Sequence, residues 1–542
     1  MADFHFSPRP NRASEIHWQE WGEAAFAEAQ GQDKPILLDI GAVWCHWCHV
    51  MDETSYSDPQ VIQLVNARFV PIRVDNDQRP DVNRRYNLGG WPTTAFLTPQ
   101  GELMTGGTYI PPQQMRSYLY QVSETYRQDK QNILQKLGEV ERQRTAALVT
   151  SAPQGDVLKS EMVQEVAREV LDNFDTLYGG FGVEPKFPHT DALELALAQY
   201  FQTRNEDFLP VVTITLTQMA RGGMYDQVAG GFFRYSTTRD WSVPHFEKML
   251  EDNARLLAVY LHAYQVTGRA LFRDTAHSLV DYGRATLYDR ERGYFYGSQD
   301  ADEHYYTLAR EERAKLPAPY VDHNLYTDWN ALMASALLQA SRILDDRELQ
   351  NLALHTLGTL GEEMFKPEEG MFHFRKAGAT TPELPGVLSD QAYAAQALLD
   401  AYQTTGRPTY LTRARILAEF VLVHLYDAER GGFLSEPQRP DALGLLRLPD
   451  KPLAENAAMA DALIQLSHLT GEGRYREAAE KTLAHFVDVY ARYSFNAAAY
   501  ALAIHRLLTY PLHVAVVGSM EDTQTHELVD AALRQYAPAR IV

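Results

Sequence analysis

The sequence predicts a multidomain protein, an α/β domain followed by an all-α toroid of the (α/α)6 kind, and three observations carry that expectation. The only two cysteines of the 542-residue chain stand three apart, in Trp44-Cys45-His46-Trp47-Cys48-His49, directly after an apolar run that reads as a buried strand. From about residue 157 strand signals fade and long Ala/Leu-rich helical stretches take over. Along those stretches a single phrase recurs, an aromatic, a short polar turn, glycine and an aromatic, at intervals that mark a repeat architecture.

In the N-terminal domain, Trp18 to Gln30 has helical periodicity and stops before Gly31, and Pro35–Ala42 is the strand that delivers the cysteines. Pro59–Ala67 reads as a helix, Phe69–Val74 as a second strand, and Gly89-Gly90-Trp91-Pro92 leads into a third strand ending near Leu97. A turn at Pro99-Gln100-Gly101, a further strand and a closing helix from about Gln113 to Leu137 complete the order. A Cys-x-x-Cys between a strand and a helix N-terminus, with a proline ahead of the third strand, is the mark of a thioredoxin-like redox site. Such a proline is usually cis, and Pro92 stands at its place. Cys45, at the helix start where the macrodipole favours thiolate, is the expected attacking sulfur, and Cys48 the resolving one. His46 between them would favour thiolate further. Three other readings compete. Cys45-His46-Trp47-Cys48-His49 fits a haem-attachment pattern, but no export signal is visible. A zinc site lacks a second ligand cluster, so no metal and no cofactor is expected. The domain could also serve packing or partner binding alone.

The recurring phrase stands at Tyr178-Gly179-Gly180-Phe181, at Tyr225 to Gly230-Gly231-Phe232, at Tyr288 to Gly293-Tyr294-Phe295, at Phe365 to Gly370-Met371-Phe372, and at Tyr426 to Gly431-Gly432-Phe433. A sixth, weaker copy without glycines lies at Tyr490–Phe495. Each phrase closes one helix, and a second helix is expected near Thr190, Ser242, Asp328, Ser389, Glu455 and Ser494. Six helical hairpins close into a double ring, and the Ala-rich second helices suit the crowded inner one; an open superhelix is the alternative. The expected boundaries are residues 1–150 for the thioredoxin-like domain, a linker at Thr150–Gly155, 157–512 for the toroid and 513–542 for a short α/β tail.

In such a ring the N-termini of the inner helices share one mouth, and the residues there are Lys186, His189 and Asp191, Arg234, Trp241, His245, Glu247 and Lys248, Asp328, Trp329 and Asn330, Asp390, Gln391 and Tyr393, Glu455 and Asn456, and Asn496, with Asp300 and Asp302 on a long loop. Carboxylates, imidazole and aromatic plates around one cavity suit a polyhydroxylated, sugar-like ligand. Paired acids could act on a glycosidic bond, and histidine could move a proton beside a carbonyl. His245 and Glu247 are the catalytic candidates, with a Lys248–Asp252 ion pair expected to orient them on a helix. Any of these carboxylates could instead cap a helix.

These runs resemble the thioredoxin-domain proteins related to spermatogenesis-associated protein 20. The match rests on Cys45-His46-Trp47-Cys48-His49-Val50-Met51, Gln78-Arg79-Pro80-Asp81, Gly89-Gly90-Trp91-Pro92, Pro185-Lys186-Phe187-Pro188, Tyr225-Asp226-Gln227, Arg234-Tyr235-Ser236, Val243–Leu250, Asp300-Ala301-Asp302 and Trp329-Asn330. The resemblance implies a thioredoxin-like domain joined to a toroid like that of N-acylglucosamine 2-epimerases and six-hairpin glycosidases, without an established reaction. Trp91, Pro92 and Asp226, which stand in these matching runs, are further substrate-binding candidates. Glu251 and Ala331 depart from its usual residues, and the chain stops at Val542 where relatives often continue.

A net charge of −21 disfavours nucleic acid and anionic membranes as partners. The expected partners are a protein disulfide or a small sugar-like molecule. Two cysteines in 542 residues and no signal peptide point to the cytoplasm.

Overall fold

The computed structural model describes residues 4–148, 157–519 and 522–542; the linker expected at Thr150–Gly155 lies outside them. The chain divides into two units, Met1–Thr150 with Gln438–Asp450, and Ser151–Pro437 with Lys451–Val542.

The first unit is built on β1 (Ile36–Gly41), β2 (Val70–Asp75), β3 (Thr93–Leu97) and β4 (Leu103–Gly107), in the order β2-β1-β3-β4. β1 and β2 run parallel, and the other pairs are antiparallel. Every residue of β1 is buried because both faces of the sheet are covered. Strand alternation sends Ile36, Leu38 and Ile40 into one core with Trp21, Phe26 and Tyr86, and Leu37 into the other with Met51, Val61 and Met115. The helices are α1 (Glu23–Gln32), α2 (His46–Glu53), α3 (Pro59–Arg68), α4 (Pro80–Tyr86) and α5 (Pro112–Leu148). Asp58 caps α3 by accepting from the Gln60 and Val61 amides, with Pro59 in the first turn. The closing helix runs on past the Leu137 expected from the sequence, through a break at Asp129.

Residues from far along the chain complete this unit. Leu445 is buried in the core beside Tyr86, and Leu443, Leu446 and Leu448 pack around it. The Leu445 amide donates to the Tyr86 hydroxyl at 2.7 Å, and Arg85 reaches Asp450 at 2.8 Å. Gly101 and Gly444 touch so closely that a Cβ on Gly101 would stand 2.5 Å from the Gly444 Cα.

In the second unit twelve helices alternate between two rings. The outer helices are α6 (Ser160–Asp172), α8 (Phe208–Arg221), α10 (Ala270–Tyr282), α12 (Arg347–Glu363), α14 (Pro408–His424) and α16 (Gly473–Ala484). The inner helices are α7 (Thr190–Thr203), α9 (Leu250–Thr267), α11 (Thr327–Ile343), α13 (Leu388–Thr405), α15 (Leu453–Thr470) and α17 (Ala498–Leu508). Each inner helix packs on the next, and α17 packs back on α7 and on α6, so the ring is closed. Two expected starts move: α9 begins at Leu250 and not near Ser242, because Pro244–His245 and Lys248–Met249 are extended and paired, and α17 begins at Ala498 after a 3₁₀ stretch.

The repeated phrase is a repeated set of hydrogen bonds. Asp175, Asp226, Asp289 and Asp427 each accept from the amides two and three residues on, forming the turn. In three copies a lysine (Lys186, Lys248, Lys451) bonds that aspartate and the carbonyl of the following glycine. Gly180 has a positive φ of 71°, and a Cβ there would lie 2.4 Å from the Trp241 ring. Next an inner-helix amide grips the residue one or two positions after the glycine. The carboxamides of Asn253, Asn330, Gln391 and Asn456 take the backbone N–H and C=O of Phe232, Phe295, Met371 and Phe433 respectively.

Asn330→Ala would leave the Phe295 amide and carbonyl buried and unpaired. The expected loss is roughly 2–4 kcal/mol of unfolding free energy, read by chemical denaturation. An unchanged midpoint would show that the clamp carries no weight.

Candidate functional site

The first candidate site is the disulfide Cys45–Cys48. Cys45 is the N-cap of α2, and its Sγ accepts the Cys48 amide at 3.2 Å. That amide and the helix N-terminus place positive potential at Cys45, which favours its thiolate in the reduced state. Trp91 and Pro92 stand where the strand order requires them, and the Trp91–Pro92 peptide is cis. Trp91 meets Trp44 edge-on at 5.7 Å, and the Trp44 indole donates to Asp77 at 2.6 Å. Trp47 is 44% exposed and leans on Tyr109. His49 is buried, and burial pushes its pKa down to about 4, so it contributes no positive charge at neutral pH.

A buried ion network fixes α2 to the sheet. Arg73 of β2 forks onto both oxygens of Asp52 at 2.7 and 3.0 Å and lies 3.5 Å from Asp39 of β1. Tyr56 donates to Asp39 at 3.1 Å. Burial pushes Asp39 up to about 6; Arg73 pulls it down and Asp52 pushes it up. The sequence singles out none of these residues, since an aspartate inside an apolar run carries no sign of its partner.

The second candidate site is the mouth of the ring. A cavity of about 270 Å³ there is lined by Phe187, His189, Asp191, Glu251, Asp252, Arg255, Phe495 and Asn496, among others. His189 sits edge-on to Phe187 and Phe495, and burial pushes its pKa down to about 4. Arg255 bonds Glu251 at 3.0 Å and the Tyr393 hydroxyl at 2.8 Å, and lies 3.8 Å from Asp191. Asp252 Oδ2 is shielded from solvent and has no hydrogen-bond partner. Burial pushes Asp252 up to about 7, with Glu251 and Glu247 raising it and Arg234 and Arg255 lowering it. A carboxyl that changes charge near neutral pH beside ionised neighbours can deliver or take a proton.

Several residues expected at the mouth come together near this cavity. His245 and Glu247 pair at 3.0 Å, Nδ1 to Oε1, across a tight turn in which the Glu247 amide donates to the His245 carbonyl at 2.9 Å, with the His245 ring stacked on Tyr235. Arg234 and Glu247 act electrostatically on Asp252, and Glu455 acts on Tyr393. The others are engaged in the fold. Lys186, Asp226, Asn330 and Asn456 belong to the turn clamps described above. The expected Lys248–Asp252 pair does not form: Lys248 bonds Asp226 at 2.8 Å, since residues 244–249 are not helical and the side chains do not share a face. Trp241 is fully buried and donates to the Tyr178 carbonyl. Asp300 is buried and accepts from the Ala301 amide, Asp302 caps Glu303–Thr307, and Trp329 packs on Tyr326.

Asp390 is buried against His373, whose Nδ1 lies 3.0 and 3.1 Å from its two oxygens, and it accepts the Asp328 amide. Asp328, His373 and Asp390 bring ligand atoms within 4.8 Å of one another, a geometry that could hold a metal ion. No metal ligand is expected from the sequence, and His373 stands in the strand Gly370–Arg375, which interrupts the helical pattern without marking a site.

Residues 9–144 match the Thioredox_DsbH family model, described as a protein of unknown function, DUF255. Spermatogenesis-associated protein 20 of Rattus norvegicus is 28% identical over 589 residues, spanning 84% of this chain and 74% of that protein. The thiol:disulfide interchange protein DsbD of Citrobacter koseri is 38% identical over 80 residues, 14% of each chain. Among solved structures, the cellobiose 2-epimerase of Spirochaeta thermophila matches 64% of this chain and 96% of its own, with a TM-score of 0.52 and 16% identity, a likeness of fold. The resemblance drawn from the motifs therefore holds: a thioredoxin-like unit is fused to an epimerase-like α/α toroid. No helix among the described residues is long and apolar enough to cross a membrane.

The raised pKa of Asp39 means that the folded state holds its proton more tightly than the unfolded chain. Its contribution is complete below about pH 4 and is lost as pH rises through about 6. Asp39→Asn is expected to remove that loss, gaining at most about 3 kcal/mol at pH 8. Denaturant titrations at pH 5 and pH 8 check this, and a variant less stable at both would refute it.

Proposed function

We propose that the protein exchanges thiols and disulfides at Cys45 and Cys48. The observation that carries this reading is the pair closed at a helix N-terminus, with Cys45 accepting the Cys48 amide. In the reducing direction the Cys45 thiolate attacks one sulfur of a partner disulfide, forming a mixed disulfide and expelling the other partner sulfur as thiolate. The Cys48 thiolate then attacks Cys45, closing the internal disulfide and releasing the second partner thiolate. Two electrons pass from the cysteine pair to the partner. The similarity to DsbD over 80 residues supports the same chemistry. Two cysteines in the whole chain, both in this motif, support a reducing, cytoplasmic setting.

A second reading concerns the toroid: a sugar-like ligand bound at the mouth, with His245, Glu247 and Asp252 moving protons as in an epimerase or glycosidase. It is favoured by aromatic rings and carboxylates meeting around one cavity. A purely binding role uses the same contacts without proton transfer.

Turbidimetric insulin reduction tests the first reading. Wild type is expected to accelerate precipitation in dithiothreitol, and Cys45→Ser to fall to the uncatalysed rate; equal rates for both proteins would reject it. For the toroid, a panel of neutral mono- and disaccharides at millimolar concentration is expected to raise the Tm with at least one sugar. The shift should shrink in both His245→Ala and Asp252→Asn. A panel without any shift removes the ligand pocket.

A further inference from the structure

Below the mouth the ring is hollow, and the hollow is polar. A second cavity of about 370 Å³ shares Asp191 and Arg255 with the first and extends along the inner helices to their C-terminal ends. On α13 it is lined from Tyr393 to Gln403, ten residues or about 15 Å of helix. Its far end is closed by the chain's own tail, where Tyr536 and Arg540 face the cavity and Tyr536 packs on Phe201 and His262. Helices buried on all sides in a ring ordinarily turn apolar residues inward. Here α11 and α13 turn in Ser335, Gln339 and Arg342, and Gln396, Asp400 and Gln403, each set at i, i+4, i+7.

The charges in this chamber do not cancel locally. Glu194 pairs with His262 at 2.8 Å, Asp461 with Arg506, and Arg255 with Glu251 and, at 3.8 Å, Asp191. Arg342 and Arg540 make no ion pair within 4.0 Å among the described residues; both interact electrostatically with Asp400, which lines the same chamber, while Asp530, outside the lining, acts on Arg342. Asp400 itself takes its hydrogen bond from Ser335. Arg342 is 7% exposed, its Nη1 donates to Thr404, and its Nε has no partner. One turn away, Gln339 Oε1 is an equally unsatisfied acceptor. A guanidinium donor and an amide acceptor buried without partners carry a desolvation penalty, which a polar ligand would relieve. Among the lining residues these two arginines face one aspartate, Asp400, which leaves room for a single negative charge inside the chamber, and the amide side chains suit hydroxyls.

We propose that this chamber binds a small polyhydroxylated anion, a sugar acid or sugar phosphate, with its acidic group on Arg342 and Arg540. The tail that carries Arg540 is thereby part of the binding site. This assignment rests on the reading of the toroid as a sugar-like pocket and adds the charge and the depth of the ligand. The volume falls at the lower end of the roughly 300–1,000 Å³ range of small-molecule sites, enough for one monosaccharide derivative.

Calorimetric titration of the full chain with D-glucuronate, D-glucose and inorganic phosphate tests it, alongside Arg342→Gln, Arg540→Gln and the charge-keeping Arg342→Lys. Glucuronate is expected to bind at least tenfold more tightly than either glucose or phosphate. Both glutamine variants should lose that advantage while keeping the wild-type glucose affinity, and Arg342→Lys should keep part of it. Retained insulin reduction and helical circular dichroism identify folded variants; should both glutamine variants misfold, the ligand comparison on wild type decides. Equal binding of glucose and glucuronate overturns the anion site and leaves the sugar pocket standing. Phosphate binding as tightly as glucuronate overturns the polyol component. No binding by any of the three overturns both readings, the chamber then holding water only.

Discussion

A carboxamide one turn into an inner helix is what the ring depends on. It donates to and accepts from the backbone of the residue just after a glycine turn, so the end of one hairpin is fixed to the start of the next helix at a single register. Neither partner could be left alone, because the peptide group it grips is out of reach of water. The lysine that ties the turn aspartate to a glycine carbonyl is equally committed, since Lys186 and Lys248 are wholly buried. A buried ion pair adds little net stability over an apolar substitute, but removing one partner is expensive, so the pair holds the turn to one geometry. Repeated around the ring, these fixed joints let α17 meet α7 and close a hollow.

The fold is legible in the sequence because both of its signals are local. A strand feeding Cys-x-x-Cys, with Pro92 ahead of the next strand, has few alternative meanings, and the aromatic–glycine phrase marks every hairpin that it closes. The site is less legible, since a charged residue beside a glycine turn looks the same whether it clamps the turn or meets a ligand. That ambiguity puts Lys186, Asp226, Asn330 and Asn456 among the ligand candidates. Helical spacing is the wrong period for residues 243–249, where two short strands flank a tight turn, and His245 and Glu247 meet across that turn. The polar stripes inside the ring are present in the sequence as i, i+4, i+7 sets, but the toroid's candidates are expected from the sequence at the helix starts and on the loops before them. Leu445 offers no signal, because nothing near it in the chain tells which core it enters.

The two candidate sites lie in separate units, and each is prepared by a different physical means. At the cysteines the preparation is electrostatic: a helix end and one amide stabilise negative sulfur, while Arg73 anchors that helix to the sheet through Asp52. In the toroid it is desolvation, which leaves Asp252 protonatable near neutrality and strands polar atoms of Gln339 and Arg342 without partners. The likeness to sugar epimerases is a likeness of scaffold, and the same ring can serve other ligands through other side chains.

The insertion of Leu445 into the first unit imposes an order on biosynthesis. The sheet and helices of residues 4–148 emerge first, yet the core against Tyr86 stays open until Leu443–Leu448 has been made. At ordinary elongation rates that interval is roughly 15–60 s. During it a nascent redox module with a bare apolar groove waits for a strap that is still being translated. A gene cut between the two units would yield a fragment missing a piece of its own interior.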